Sequence, residues 1–230
     1  MPEDLRAFRE RTAFVWDSLP REGCFATHPQ LEEKVGADGR FRPFFGDTVI
    51  FDLPEEDKSW LSDVQRMLYA RCGDLLAAQL DPVSFHITLH DLNCATEVGP
   101  IASAMASSRE ATRALLATLP ADWSVAVRST AVFSMVNTSI VMGFEPVDEA
   151  CCAALMGLYE TFQQVVPLNY PLTPHVTLAY DCPMKAGEEA LRRLRETLAE
   201  INREVSPRVI RLGYPRYSTF TDMNHYHMEP

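Results

Sequence analysis

Two tetrapeptides of one pattern stand far apart in the chain: His86-Ile87-Thr88-Leu89 and His175-Val176-Thr177-Leu178. Each sets a histidine and a threonine two residues apart inside a short apolar run. In a β-strand, side chains at i and i+2 share a face. Each tetrapeptide therefore presents one imidazole and one hydroxyl to a common surface, while Ile87 and Leu89, or Val176 and Leu178, turn toward a core. Two such strands side by side make a pocket with two imidazoles and two hydroxyls. That inventory suits metal-free phosphodiester chemistry: one histidine takes a proton, the other gives one, and the threonines hold phosphate oxygens.

The 230 residues are enough for one large domain or two small lobes with real cores. The composition, 47% hydrophobic and 23% charged, is that of a soluble globular protein. No apolar run approaches the ~18 residues of a membrane-spanning helix. Met1-Pro2-Glu3-Asp4-Leu5-Arg6 is charged from the start and has no signal-peptide apolar stretch, so a cytoplasmic location is expected. The six cysteines (24, 72, 94, 151, 152 and 182) include no CxxC and no zinc-like Cys/His spacing, and reduced thiols are expected. No P-loop or GxGxxG is present, which disfavours ATP-dependent chemistry, and no cofactor or metal is expected.

A net charge of −11 bears on the partner. Proteins that grip long nucleic acids display basic stripes. Here the largest basic cluster, Arg192, Arg193 and Arg195, is interleaved with acids on a helical segment and reads as a solvated face. A small nucleotide or a short oligonucleotide end is the expected substrate, a long RNA less so.

Apolar spacing predicts a helix over residues 3–18, then a long loop over 20–46 whose aromatics Phe41, Phe44 and Phe45 argue against a disordered tail. A strand is predicted over 47–53. Pro54 and the acids behind it start a helix running to about Leu80. The first motif strand follows at 83–90, a helix at 100–119, paired strands at 123–135 and 138–144, and a helix from Pro146 to about Val166. The second motif strand occupies 175–180, a charged helix 187–203 and a strand-like stretch 207–220. Motif strand, helix and strand occur in that order twice, like a faint duplication. The N-terminal helix and loop of residues 1–46 are expected to pack on the domain formed by 47–230.

The paired motifs are the signature of the 2H phosphoesterase superfamily, and the chain resembles the bacterial RNA 2′,3′-cyclic phosphodiesterases, once described as 2′-5′ RNA ligases. Pro174-His175-Val176-Thr177-Leu178-Ala179 is similar to the family's second motif, including the proline; Val83-Ser84-Phe85-His86-Ile87-Thr88-Leu89 lacks that proline. The resemblance covers about residues 80 to 220. Gly39-Arg40-Phe41-Arg42-Pro43-Phe44-Phe45-Gly46-Asp47-Thr48-Val49-Ile50 resembles a less characterised bacterial branch of the superfamily. The fold implied is α+β: two pseudo-symmetric lobes with antiparallel sheets forming a concave cleft, one motif from each. The resemblance further implies that His175 is the general base and His86 the general acid, with Thr88 and Thr177 stabilising the phosphorane-like transition state.

A lone histidine in an apolar strand is usually structural; the pair makes the catalytic reading the stronger one. Threonine is a good strand former in any case, and Thr88 and Thr177 stand out because each shares its histidine's face. By strict alternation His90 continues the face of His86 and Thr88, and could touch substrate, or bind a metal with His86, although a strand-end polar residue is the commoner outcome. His225 and His227 read as a surface tail. Base recognition needs an aromatic surface, for which Phe85, Phe45, Tyr180, Tyr214 and Tyr217 are candidates, and Arg128 could add charge near the phosphate. The alternative from another class is a non-catalytic binder or sensor of small cyclic or 2′-5′ nucleotides. It would not need two proton carriers.

Overall fold

The computed structural model describes residues 3–16, 19–20 and 22–229, without the side chains of Phe14 and Trp16. Helix α1 (Leu5–Trp16) opens the chain; residues 17 and 18 of the predicted helix lie outside the described residues. The predicted long loop contains a short strand β1 (Phe25–Ala26) and a 3₁₀ turn (Pro29–Glu33). Its aromatic content is used in packing: Phe25 and Phe44 are buried, and so are Leu31 and Val35 beside them.

Strand β2 (Phe45–Asp52) is buried over almost its whole length. Pro54 and the acids Glu55, Glu56 and Asp57 launch α2 (Glu55–Cys72), as the helix dipole favours. The helix was predicted to reach Leu80, but Gly73 closes it, and a 3₁₀ turn and an extended stretch follow. Asp81 caps a second 3₁₀ turn, its carboxylate accepting from Val83 N at 2.9 Å, and this turn feeds β3 (His86–Ala95). Helix α3 (Ala102–Leu116) leads to the hairpin of β4 (Val125–Met135) and β5 (Ser139–Pro146). Its turn places Val136 and Asn137 at positive φ (45° and 58°), as a tight mirror-image hairpin turn requires. Asp148 caps α4 (Glu149–Phe162), accepting from Cys151 N at 2.8 Å. Strand β6 (His175–Tyr180) has the predicted bounds. β7 (Lys185–Ala186) pairs with β1, and α5 (Glu188–Glu204) follows. The stretch predicted as one strand breaks at Gly213-Tyr214-Pro215 into β8 (Val209–Leu212) and β9 (Arg216–Asp222), and the predicted tail is a strand, β10 (His225–Met228).

Two four-stranded antiparallel sheets result, ordered β10-β9-β2-β3 and β6-β5-β4-β8. The motif strands β3 and β6 are each the edge of their sheet, and they lie against one another without sharing a ladder. The fold is α+β and two-lobed, with one motif from each lobe. The repeated unit begins one strand earlier than the sequence suggests. It runs β2-α2-β3-α3-β4 in the first half and β5-α4-β6-α5-β9 in the second, with β8 inserted before β9, and the units exchange parts. β4, from the first half, sits beside β5; β9, from the second, sits beside β2. Likewise α2 backs β6, and α4 backs β3. Each motif strand therefore rests on a helix from the opposite half, which ties the lobes into one core.

Candidate active site

Both motif strands contain the same irregularity. On β3, Thr88 pairs with Ile50 and His90 with Val49, so Leu89 has no partner. On β6, Thr177 pairs with Val141 and Ala179 with Ile140, so Leu178 has none. These are β-bulges directly after each threonine, and a bulge shifts the alternation by one residue. His86 and Thr88 are half-buried at the cleft while Leu89 and His90 are both buried; His175 and Thr177 are half-buried while Leu178 and Ala179 are both buried. The residue three beyond each threonine returns to the cleft face: Asp91 in one strand, Tyr180 in the other. Gln65 of α2 stabilises the second bulge, donating from Nε2 to Leu178 O at 2.9 Å and Leu80 O at 3.1 Å.

The imidazoles are held alike. His86 Nδ1 lies 2.6 Å from Ser84 O, and His175 Nδ1 lies 2.7 Å from Thr173 O. A carbonyl oxygen only accepts, so each Nδ1 carries the hydrogen and Nε2 is the nitrogen left to take or give a proton. Burial pushes both pKa values down. His86 falls to about 4: desolvation dominates, the charges of His175 and Lys58 add to it, and Ser84 O and Asp91 oppose it. His175 is lowered by desolvation too, against Thr173 O and Asp91. The free cleft thus holds two neutral imidazoles near neutral pH. Charges on the two rings repel, so the cleft disfavours protonating both at once.

An aromatic wall stands beside this pair. The sheet of β10-β9-β2-β3 curls until the β9–β10 turn reaches the entry to β3, where Asn224 Oδ1 accepts from Asp81 N at 2.7 Å. The Tyr226 ring then lies 4.4 Å, centroid to centroid, from His86 and 5.3 Å from Phe220, which stacks on Phe44 at 6.1 Å. On the other strand Tyr180 meets Phe41 edge-on at 5.9 Å and donates its hydroxyl to Met223 Sδ at 3.1 Å. Lys34 Nζ sits 5.1 Å from the Phe44 ring centroid. Glu229, next to β10, receives Arg113 at 2.8 Å and steadies that strand.

Of the residues proposed from sequence, His86, Thr88, His175, Thr177 and Tyr180 come together. His90 does not join them. The Leu89 bulge turns it inward, where it packs on Tyr159 and Phe162 of α4 with its Nδ1 2.7 Å from Asp91 O. Phe85 is core. Phe45 pairs with Ala95, at the far end of β3 from His86. Tyr217 is buried, donating to Asp47 Oδ2 at 3.0 Å. Arg128 pairs with Glu145 at 3.2 Å, and Tyr214 donates to Leu116 O on the surface of α3. His225 and His227 are exposed, as a surface tail would be. Tyr226 between them faces the site and was missed, as were Asp91 and Phe220. The apolar alternation around Tyr226 was the one available signal. Nothing in the sequence marks the bulge that selects Asp91.

No family model matches the chain, and no curated protein matches it. Among solved structures, the conserved protein of unknown function ATU0111 from Agrobacterium tumefaciens str. C58 aligns over 93% of both chains with TM-score 0.70 and 22% identity. E. coli LigT complexed with 3′-AMP aligns over 81% of this chain and 96% of its own (TM-score 0.48, 12% identity). Kluyveromyces marxianus Usb1 with uridine monophosphate aligns over 84% and 99% (TM-score 0.43, 11% identity). The first likeness shows that the whole two-lobed architecture recurs in a second protein.

Proposed function

We propose that the protein is a phosphodiesterase that needs no metal and opens 2′,3′-cyclic phosphates, or related 2′-linked phosphodiesters, of small nucleotides or short oligonucleotides. The observation that carries this reading is the pair of imidazoles, each with Nδ1 tied to a backbone carbonyl and Nε2 left for proton transfer, each with a threonine on its own face. One neutral imidazole removes the proton from water as its oxygen attacks phosphorus. The P–O bond to one ribose oxygen breaks, and the other imidazole, whose protonated form the bound phosphate anion favours, supplies the hydrogen that oxygen needs. The two threonine hydroxyls donate to the non-bridging oxygens, where charge accumulates in the transition state.

The family resemblance implies His175 as the proton acceptor and His86 as the donor, and like charges on the two rings disfavour protonating both at once. The half-buried rings of Tyr226 and Tyr180, packed on Phe220 and Phe41, give a base a surface to lie on. The arginines Arg192 and Arg193 are engaged by Glu196 and Asp74 and form no basic track, in keeping with a small substrate.

The test is a panel of the four nucleoside 2′,3′-cyclic monophosphates and 2′-5′ and 3′-5′ dinucleotides, assayed with EDTA present and products resolved as 2′- or 3′-phosphates. Turnover of at least one 2′-linked ester with EDTA present is expected. Binding without turnover would establish the sensor instead, and turnover abolished by EDTA would establish a metal hydrolase.

A further inference from the structure

We propose that Asp91 is a charge-selecting residue of the cleft, admitting a reacting phosphate that carries one negative charge and disfavouring one that carries two. The inference rests on the phosphodiesterase reading above. Opening a cyclic phosphodiester converts a monoanion into a monoester whose second ionisation falls near pH ~6, so the product is mostly a dianion at neutral pH. A fixed carboxylate beside the reacting phosphorus costs the product more than the substrate and so favours its release.

The placement of Asp91 follows from the backbone. The bulge at Leu89 sends His90 into the core and returns Asp91 to the side of His86 and Thr88, where it is exposed. At the corresponding place in the other strand, three residues past Thr177, stands the uncharged Tyr180, so the cleft has one such carboxylate rather than a symmetric pair. Asp91 is also held. Tyr170, on the loop entering β6, donates its hydroxyl to Asp91 Oδ2 at 2.7 Å, and Tyr159 of α4 in turn donates to the Tyr170 carbonyl. Its charge reaches groups on every wall: His86 from its own strand, His175 and Tyr180 from β6, Tyr226 from β10. The cation that faces His86 from α2, Lys58, is engaged by Asp52 at 2.8 Å and by Val83 O at 3.0 Å. A solvated strand-end carboxylate would need neither the bulge nor the tyrosine strap.

The test compares two ligands that carry no 2′-linked ester to open: a 2′-deoxynucleoside 3′-phosphate, dianionic at pH 8, and its 3′-methyl phosphate, monoanionic at all working pH values. Binding to the wild type, Asp91→Asn and Asp91→Glu is measured by calorimetry at pH 8 and low salt, with thermal melting to confirm folding. Asp91→Asn is expected to tighten the dianion roughly 2- to 5-fold more than the monoanion, the range of one partly screened charge pair, and Asp91→Glu to keep the wild-type ratio. High salt should shrink the difference. Equal gains for both ligands, or no gain in a folded Asp91→Asn, overturn the proposal while leaving the two-histidine mechanism standing. If no variant binds either ligand and the wild type turns over no cyclic phosphate, the phosphodiesterase reading falls and takes this one with it.

Discussion

The two halves of the molecule build nearly the same device. Each contributes an edge strand with His-x-Thr-Leu, a bulge after the threonine, an imidazole tied through Nδ1 to the carbonyl two residues back, and a supporting helix from the opposite half. What surrounds the device differs. Opposite His86 on the neighbouring strand stands Asp52, paired to the buried Lys58; opposite His175 stands Gly143. His86 lies against the Tyr226 ring, and the post-bulge residues are Asp91 and Tyr180. A duplicated scaffold supplies two equivalent nitrogens, and its neighbours make them unequal. Acid–base catalysis needs that inequality, because one imidazole must be neutral when the other is charged.

The largest expected effect tests that inequality directly. His86→Ala and His175→Ala should each lower kcat on a nucleoside 2′,3′-cyclic phosphate by at least ~10²-fold, the low end for losing a general acid or base. A substrate with a nitrophenolate leaving group needs no proton donor. It should recover most of the loss in His86→Ala, the donor implied by the family resemblance, and little in His175→Ala. The opposite pattern would exchange the two roles, and near-wild-type kcat in either folded variant removes that histidine from the reaction.

Next in size come the threonines. Thr88→Val and Thr177→Val keep shape and strand propensity but delete the hydroxyl. Loss of a hydrogen bond to a charged group is worth about 1.5–3 kcal/mol, or roughly 10- to 100-fold in kcat/KM. Similar losses would show that the phosphate sits evenly between the halves; a loss in only one would show that it leans to that side. Two variants with full kcat/KM would make both threonines plain strand residues.

The four motif residues were legible because period-2 alternation over two or three residues survives any later irregularity. His90 was not, since its assignment extended that alternation across a bulge, and a bulge is set by ladder pairing with β2 that local sequence does not encode. Strand β6 was placed to the residue because Pro174 and the apolar run delimit it. The end of α2 differs because its amphipathic pattern continues past Gly73, a poor helix former at which the helix gives way to a 3₁₀ turn. The exchange of β4 and β9 between lobes, and the curl that carries Tyr226 onto His86, arise from contacts between distant segments. An expectation built on consecutive elements had no access to them.

The smallest effect concerns stability, and two desolvated groups, His86 and Asp181, should oppose one another. His86 has its pKa lowered in the fold from 6.5 to about 4. The unfolded chain therefore binds that proton more readily, so this contribution is fully present above pH ~6.5 and is lost as pH falls toward 4. Asp181, buried at the end of β6 with Oδ2 unpartnered, is shifted the other way by desolvation, from 3.8 to about 7. Its contribution is fully present below pH ~3.8 and is lost as pH rises through 7. A bare acid titration of the wild type mixes the two, so the measurement is a difference: denaturant midpoints from pH 8 to pH 4.5 for the wild type, His86→Asn and Asp181→Asn. His86→Asn should flatten the acid-side loss by about 1 kcal/mol, below the roughly 3 kcal/mol that a fully expressed shift would give, because the ring keeps some solvent contact. Asp181→Asn should steepen that loss and should be more stable than the wild type at pH 8. If all three curves run parallel, neither group is desolvated in the folded protein, and the neutral resting state assigned to the His86–His175 pair loses its physical basis.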